Sequence, residues 1–198
     1  MINLLLQLWG GAFYLLNKFF FSRAERAVSV QIQQSRLILA WSCYLMGLPP
    51  WVFIFISERN WIAAAVESSG APAMIMGLIA ARQGQVSFRQ HVWLDYLARL
   101  MVVVGLGLSF YDFGGLTTLN QVWELGVAAG FLVGTYLLAR QKAQGYFWLV
   151  VGNISAAALM MRQGYFVLMA QQLLSLLLVA DAYWVNKRKQ EKPPEVDW

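Results

Sequence analysis

Cysteine and histidine each occur once in the 198 residues, as Cys43 and His91. A single thiol excludes a disulfide framework within the chain, and one thiol with one imidazole excludes a His/Cys zinc site. Charge is scarce as well: Asp, Glu, Lys and Arg together make up 13% of the chain, where soluble domains carry about 25%. No glycine-rich phosphate loop, serine nucleophile elbow or His/Cys metal spacing is present. These absences leave no basis for expecting an enzyme, a metal or a cofactor. Catalysis would fall to carboxylates inside a membrane.

What is abundant is apolar surface. Hydrophobic residues make up 59% of the chain, too much for a single core of this size to hide, so lipid must act as solvent. A crossing helix needs about 20 mostly apolar residues. Helices are predicted near 2–21, 36–56, 61–81, 92–111, 117–139, 146–162 and 165–186, which leaves no room for a soluble domain. Met1 to Leu6 has no basic n-region and reads as the start of a retained helix rather than a signal peptide. Ser22–Ser35 is the longest expected internal loop, and 187–198 reads as a polar, mobile tail. Gly47-Leu48-Pro49-Pro50 either kinks the second helix or ends it near Met46.

Twelve of the fifteen Lys and Arg residues fall in every second gap between the apolar stretches. Lys18, Arg23, Arg26 and Arg36 follow the first stretch, and Arg82 and Arg89 the third. Arg140 and Lys142 follow the fifth, and Lys187, Arg188, Lys189 and Lys192 the last. Positive charge is retained on the cytoplasmic side, so the amino terminus is expected outside and the carboxyl terminus inside. The formal charge of +5 is read as topology signal and contact with anionic lipid heads, not as a nucleic-acid surface. Trp61, Trp93, Tyr146, Trp148, Tyr165, Tyr183 and Trp184 near helix ends read as interfacial belts.

Polar side chains at membrane depth are costly and usually face a bundle interior. Glu67 and Glu124 each lie about 10 Å inside an outer helix end. The pair either lines an outward cavity or couples to protons, or sits satisfied at a wet interface, or marks a helix boundary placed elsewhere than expected. Gly126, Gly130 and Gly134 form a small-xxx-small ridge. Gln121 and Glu124 lie roughly 140° and 160° from Gly126 around the axis, facing away from that ridge. Asn153 is mid-helix, and Gln171 and Ser175 share a face of the last helix. These amides either hold a small polar cargo or serve as interhelical glue. Asp95 and Arg99 are spaced for an intrahelical ion pair.

Several short motifs carry a resemblance. Gln7, Gly10-Gly11, Arg23-Ala24-Glu25-Arg26, Gln31 and Tyr44-Leu45-Met46-Gly47 resemble the start of YgjV-type bacterial inner-membrane proteins. Gly145-Tyr146-Phe147-Trp148, Gly152-Asn153, Gly164-Tyr165, Gln171 and Tyr183-Trp184 resemble both that family and PnuC-type nicotinamide riboside transporters. Both are similar to the wider SWEET and PQ-loop group. That resemblance implies an all-α polytopic protein of the bacterial inner membrane, with two parallel triple-helix bundles joined by a linker helix. The first bundle would span 1–81, the linker 82–116 and the second bundle 117–186. A faint internal echo pairs Phe13 with Phe131 and Gly47 with Gly164. The Pro-Gln pair of PQ-loop proteins and a proline in the fifth helix are missing, which argues against a sugar assignment. By resemblance, Asn153, Gln171 and Trp148 would contact cargo, and Gln121, Glu124 and Glu67 join them as intramembrane polar groups. A transporter or facilitator for a small polar solute is expected. A non-transporting scaffold is the alternative, and homo-oligomerisation is left open.

Overall fold

The computed structural model describes residues 2–57, 59, 61–83, 92–112, 119–162, 164 and 166–191. Glu58, Arg89, His91, Gly115, Tyr165, Lys192 and the Pro193-Pro194 pair, with the expectations placed on them, lie outside the described residues. All secondary structure among the described residues is helical: α1 (Ile2–Glu25), α2 (Val30–Ser57), α3 (Trp61–Ser69), α4 (Ala71–Gln83), α5 (Val92–Asp112), α6 (Leu119–Ala139), α7 (Gln144–Arg162) and α8 (Phe166–Glu191). Six segments are long and apolar enough to cross a membrane, α3 and α4 counting as one from Ala63 to Gln83. A multi-pass helical membrane protein is therefore the architecture. α1 is not among the six; Asn3, Gln7, Asn17 and Lys18 dilute its apolar run.

Two expected boundaries are corrected. The loop expected at Ser22–Ser35 is only a short turn, because α1 runs on to Glu25 and α2 starts at Val30. Ser29 caps α2: its Oγ accepts from the Ile32 N–H at 3.3 Å and its carbonyl from Gln33 N–H at 3.0 Å. Capping and the helix-tolerant Gln31, Gln33 and Gln34 extend the helix beyond its apolar run, which hydropathy alone does not register. Likewise α8 continues through Lys187 to Glu191, where the expected tail begins, with Lys187 and Glu191 paired at 3.8 Å one turn apart.

Proline acts differently in two places. α2 is continuous through Pro49 and Pro50, which settles the choice between kink and end in favour of one helix. Pro50 has no N–H, so the carbonyl four residues back, Met46 O, loses its helical partner. Trp9 Nε1 donates to that oxygen at 3.1 Å, so α1 satisfies what the proline released. The third span, expected as one helix, breaks at Gly70, just before Ala71-Pro72. Gly70 N–H bonds Glu67 O at 3.3 Å rather than continuing the α pattern. Ser68 and Ser69 turn their hydroxyls onto Ala64 O and Val66 O at 2.7 and 2.6 Å, in competition with the backbone ladder.

The helices close into a ring of contacts: α1 to α2, α2 to α4, α4 to α6, α6 to α7, α7 to α8 and α8 back to α1. α5 packs outside this ring on α3, α4 and α6. The glycine ridge of α6 does what its spacing predicts. A Cβ on Gly126 would meet the Ser155 side chain, and one on Gly134 would meet Leu149 and the Gly145 carbonyl at 3.0 Å. At Gly130 it would run into the Gly152 backbone. Outward faces stay apolar, with Val167, Leu177 and Val103 exposed, as expected where lipid is the solvent.

Candidate functional site

The ends of α1, α4, α6 and α8 that carry Arg23, Arg26, Arg82, Arg140 and Lys187 lie together with the starts of α2, α5 and α7. We call this the basic end. Gln34 Nε2 donates to Arg82 O at 3.0 Å and Arg36 to Arg23 O at 2.6 Å. Two polar clamps tie helices together here. In the first, Arg26 grips Asp181 through both Nε (3.1 Å) and Nη2, and Ser22 Oγ donates to the same carboxylate at 2.6 Å. Buried Glu25 accepts from Tyr146 OH at 2.8 Å and Asn186 Nδ2 at 3.0 Å. In the second, the expected Asp95–Arg99 pair forms at 2.6 Å. Tyr136 extends it, donating to Asp95 at 3.0 Å and accepting from Arg99 Nε at 2.8 Å, with Arg140 3.7 Å from Asp95. Tyr146 is thus a buried ligand of Glu25 and not a belt residue, whereas Trp61, Trp93 and Trp184 are exposed as a belt requires.

The interior polar cluster is built by α1. Side chains on a helix lean toward its amino terminus, so Tyr14 and Lys18 point away from the basic end and into the bundle. Lys18 starts seven residues inside Glu25, about 10 Å along the axis. It corrects the charge-pattern reading: Lys18 is 4% exposed and is not a surface topology signal. A long side chain one or two turns from a helix end normally snorkels to water. This one instead lies 4.5 Å from the Tyr44 ring centre on α2 and 5.9 Å from that of Phe131 on α6.

Glu67 is the counter-charge. It sits beside the α3–α4 break, half-buried, and its Oε1 accepts from Tyr14 OH. Lys18 and Glu67 interact electrostatically, but no direct ion pair closes between them among the described residues. Tyr44 stacks edge-on against Tyr14 with ring centres 5.2 Å apart, and its hydroxyl meets Thr135 Oγ1 of α6 at 2.9 Å. Gly47 makes this possible: any side chain there would collide with the Tyr14 ring. Neighbouring Asn17 is fully buried, donates to Ala40 O at 2.9 Å and has no partner for its Oδ1 among the described residues. The cluster therefore joins α1, α2 and α3 to α6 around one cation and one carboxylate.

The other sequence-chosen residues are spread around it. Asn153 is fully buried and donates to Leu149 O of its own helix at 2.7 Å, with no partner for its Oδ1 among the described residues. The Gln171 carboxamide lies against Gly11, at the α1–α8 contact, where a Cβ would be 3.0 Å from Oε1. Trp148 lines a cavity of about 410 Å³ at the basic end with Gln144, Phe147, Tyr183, Asn186 and Lys187. Gln121 and Glu124 occupy the first turns of α6, half-buried. Of the six, Glu67 belongs to the charged cluster. Lys18, Tyr14, Tyr44 and Thr135 were the residues missed. The available signal was a lysine one helical turn from a tyrosine, followed at once by Phe19-Phe20-Phe21. No protein-family model, curated protein or solved structure matches the chain.

Proposed function

We propose that the chain is a transporter or facilitator for a small polar solute, with seven spans, the amino terminus outside and two three-helix units that rock around the Lys18–Glu67 cluster. The observation that carries this reading is a buried lysine and a half-buried glutamate inside the helix bundle, with no direct ion pair between them among the described residues. Charges in that position are expensive and mark pathways far more often than they mark glue. The contact ring supports the two-unit plan. Exchanging α1 with α6, α2 with α7 and α4 with α8 maps each ring contact onto another ring contact, as a repeat of three helices requires. α5 then takes the place of the linker, and the α3–α4 break beside Glu67 is the kind of interrupted span that lines transport sites. The motif resemblance to PnuC-type, YgjV-type and SWEET-like proteins points the same way.

The second reading is a non-transporting scaffold, favoured by the close α6–α7 packing and by the two clamps at the basic end. Uptake by proteoliposomes across a panel of nucleosides, vitamins and sugars separates the two. The transporter reading expects uptake of at least one class, with loss of most of the rate in folded Lys18→Met and Glu67→Gln variants. It also expects effects of Asn153→Leu and Gln171→Leu if the amides line the path. A panel with no uptake, or a cargo carried at the same rate by both cluster variants, would leave the scaffold.

A further inference from the structure

We infer that Lys18 is the binding point for a carboxylate-type anion, and that Glu67 takes up a proton when the anion arrives. This deepens the transport reading and rests on the same cluster. The argument begins with hydrogen-bond supply. An ammonium carries three N–H donors and no acceptor. Lys18 is buried as a residue, and among the described residues the contacts of its amino group are the faces of Tyr44 and Phe131, with no ion pair to a carboxylate. Ring faces attract a cation but do not complete its hydrogen bonds. Glu67 is not short of a partner in the same way, because Tyr14 already donates to it. The unmet demand in the cluster is therefore for an acceptor at Lys18, and a carboxylate oxygen is the strongest small acceptor for an ammonium.

Charge balance then assigns the proton. Lys18 and Glu67 sum to zero. A bound monoanion would leave one net negative charge in a low-dielectric interior, with two carboxylates sharing one cation. Like charges brought together there raise the affinity of one of them for a proton. Glu67 is the group that can accept it, since Tyr14 OH can serve a protonated carboxyl as well as an ionised one. The proton comes from solvent and returns to it when the anion leaves. The titratable and charged groups facing Glu67 are Tyr14 and Lys18 of α1 and Tyr44 of α2. Beside the α3–α4 break, Ser69 of α3 and Leu132 of α6 lie against Gly105 of α5, and these three do not titrate.

The test uses matched pairs that differ only in charge: acetate and acetamide, lactate and lactamide, benzoate and benzamide. Each is added to the purified full chain in detergent, and melting is followed between about pH 6 and 8, since a ligand that binds only the folded state raises apparent stability. At least one carboxylate is expected to raise the melting temperature, more at the lower pH, while its amide has no effect. Lys18→Met should fold, because it removes a buried charge, and should bind that carboxylate about tenfold or more weakly. Glu67→Gln should keep carboxylate binding and lose its pH dependence. The inference is overturned if amides act as well as carboxylates, if no carboxylate acts, if Lys18→Met binds normally, or if binding is independent of pH in the unmodified protein. Intact carboxylate binding with no flux in proteoliposomes would instead sink the transport reading alone.

Discussion

Gly130→Ala offers the sharpest check on how the second half of the molecule is packed. A Cβ at this position would overlap the Cα and N of Gly152 and lie 2.8 Å from Trp148 O. All three are backbone atoms, which cannot rotate away as a flexible side chain can. Helices α6 and α7 would have to separate, and the contacts at Gly126–Ser155 and Gly134–Leu149 would loosen with them. Overpacking of this kind costs about 1–3 kcal/mol. For a chain of this size each kcal/mol moves the melting temperature by about 2–4 °C, so a drop of roughly 2–12 °C is expected. Two other glycines act as controls. A Cβ on Gly152 would meet Gly130 backbone atoms at 3.2 Å, a tighter than ordinary contact but no overlap, so Gly152→Ala should cost less than Gly130→Ala. Gly107 of α5 has nothing within 4 Å of its Cβ position, so Gly107→Ala should stay within about 0.5 kcal/mol of the parent. Thermal unfolding in detergent, followed by circular dichroism, ranks the three. Equal melting temperatures for Gly130→Ala and Gly107→Ala would refute the close helix approach.

Tyr146→Phe removes the tyrosine hydroxyl that donates to buried Glu25 and leaves the Asn186 carboxamide on that carboxylate. A loss of about 1–3 kcal/mol in unfolding stability is expected, and an unchanged unfolding midpoint would show that the carboxylate is solvated instead. Reporters inserted near Arg89 and near Asp112 should fall on opposite sides of the membrane, with Arg89 cytoplasmic; the same side for both would break the seven-span topology.

Helix positions were legible because burial in lipid selects long apolar runs, and those runs are visible in one dimension. The Gly126–Gly130–Gly134 ridge was legible for the same kind of reason, since residues four apart must share a face. So was the Asp95–Arg99 pair, though its extension to Tyr136 and Arg140 came from a second helix. Helix ends were less so: α2 begins ahead of its apolar segment on the strength of the Ser29 cap, and α3 stops where Pro72 and two serine hydroxyls interrupt the ladder.

The sequence by itself determined the class of the protein, the lengths of most spans and which end of the bundle is basic, because these depend on hydropathy and charge along the chain. Only the tertiary structure decided which charges are buried. Lys18 and Arg26 are alike in the sequence, basic and close to the end of one helix. The lean of α1 side chains toward its amino terminus carries Lys18 between Tyr44 and Phe131, near Glu67 on a helix 49 residues away in sequence. Arg26 lies beyond the end of α1 and turns to Asp181 at the exposed rim. Which side of a helix faces the ring, and which helix stands opposite, is a property of packing that no single stretch of sequence contains.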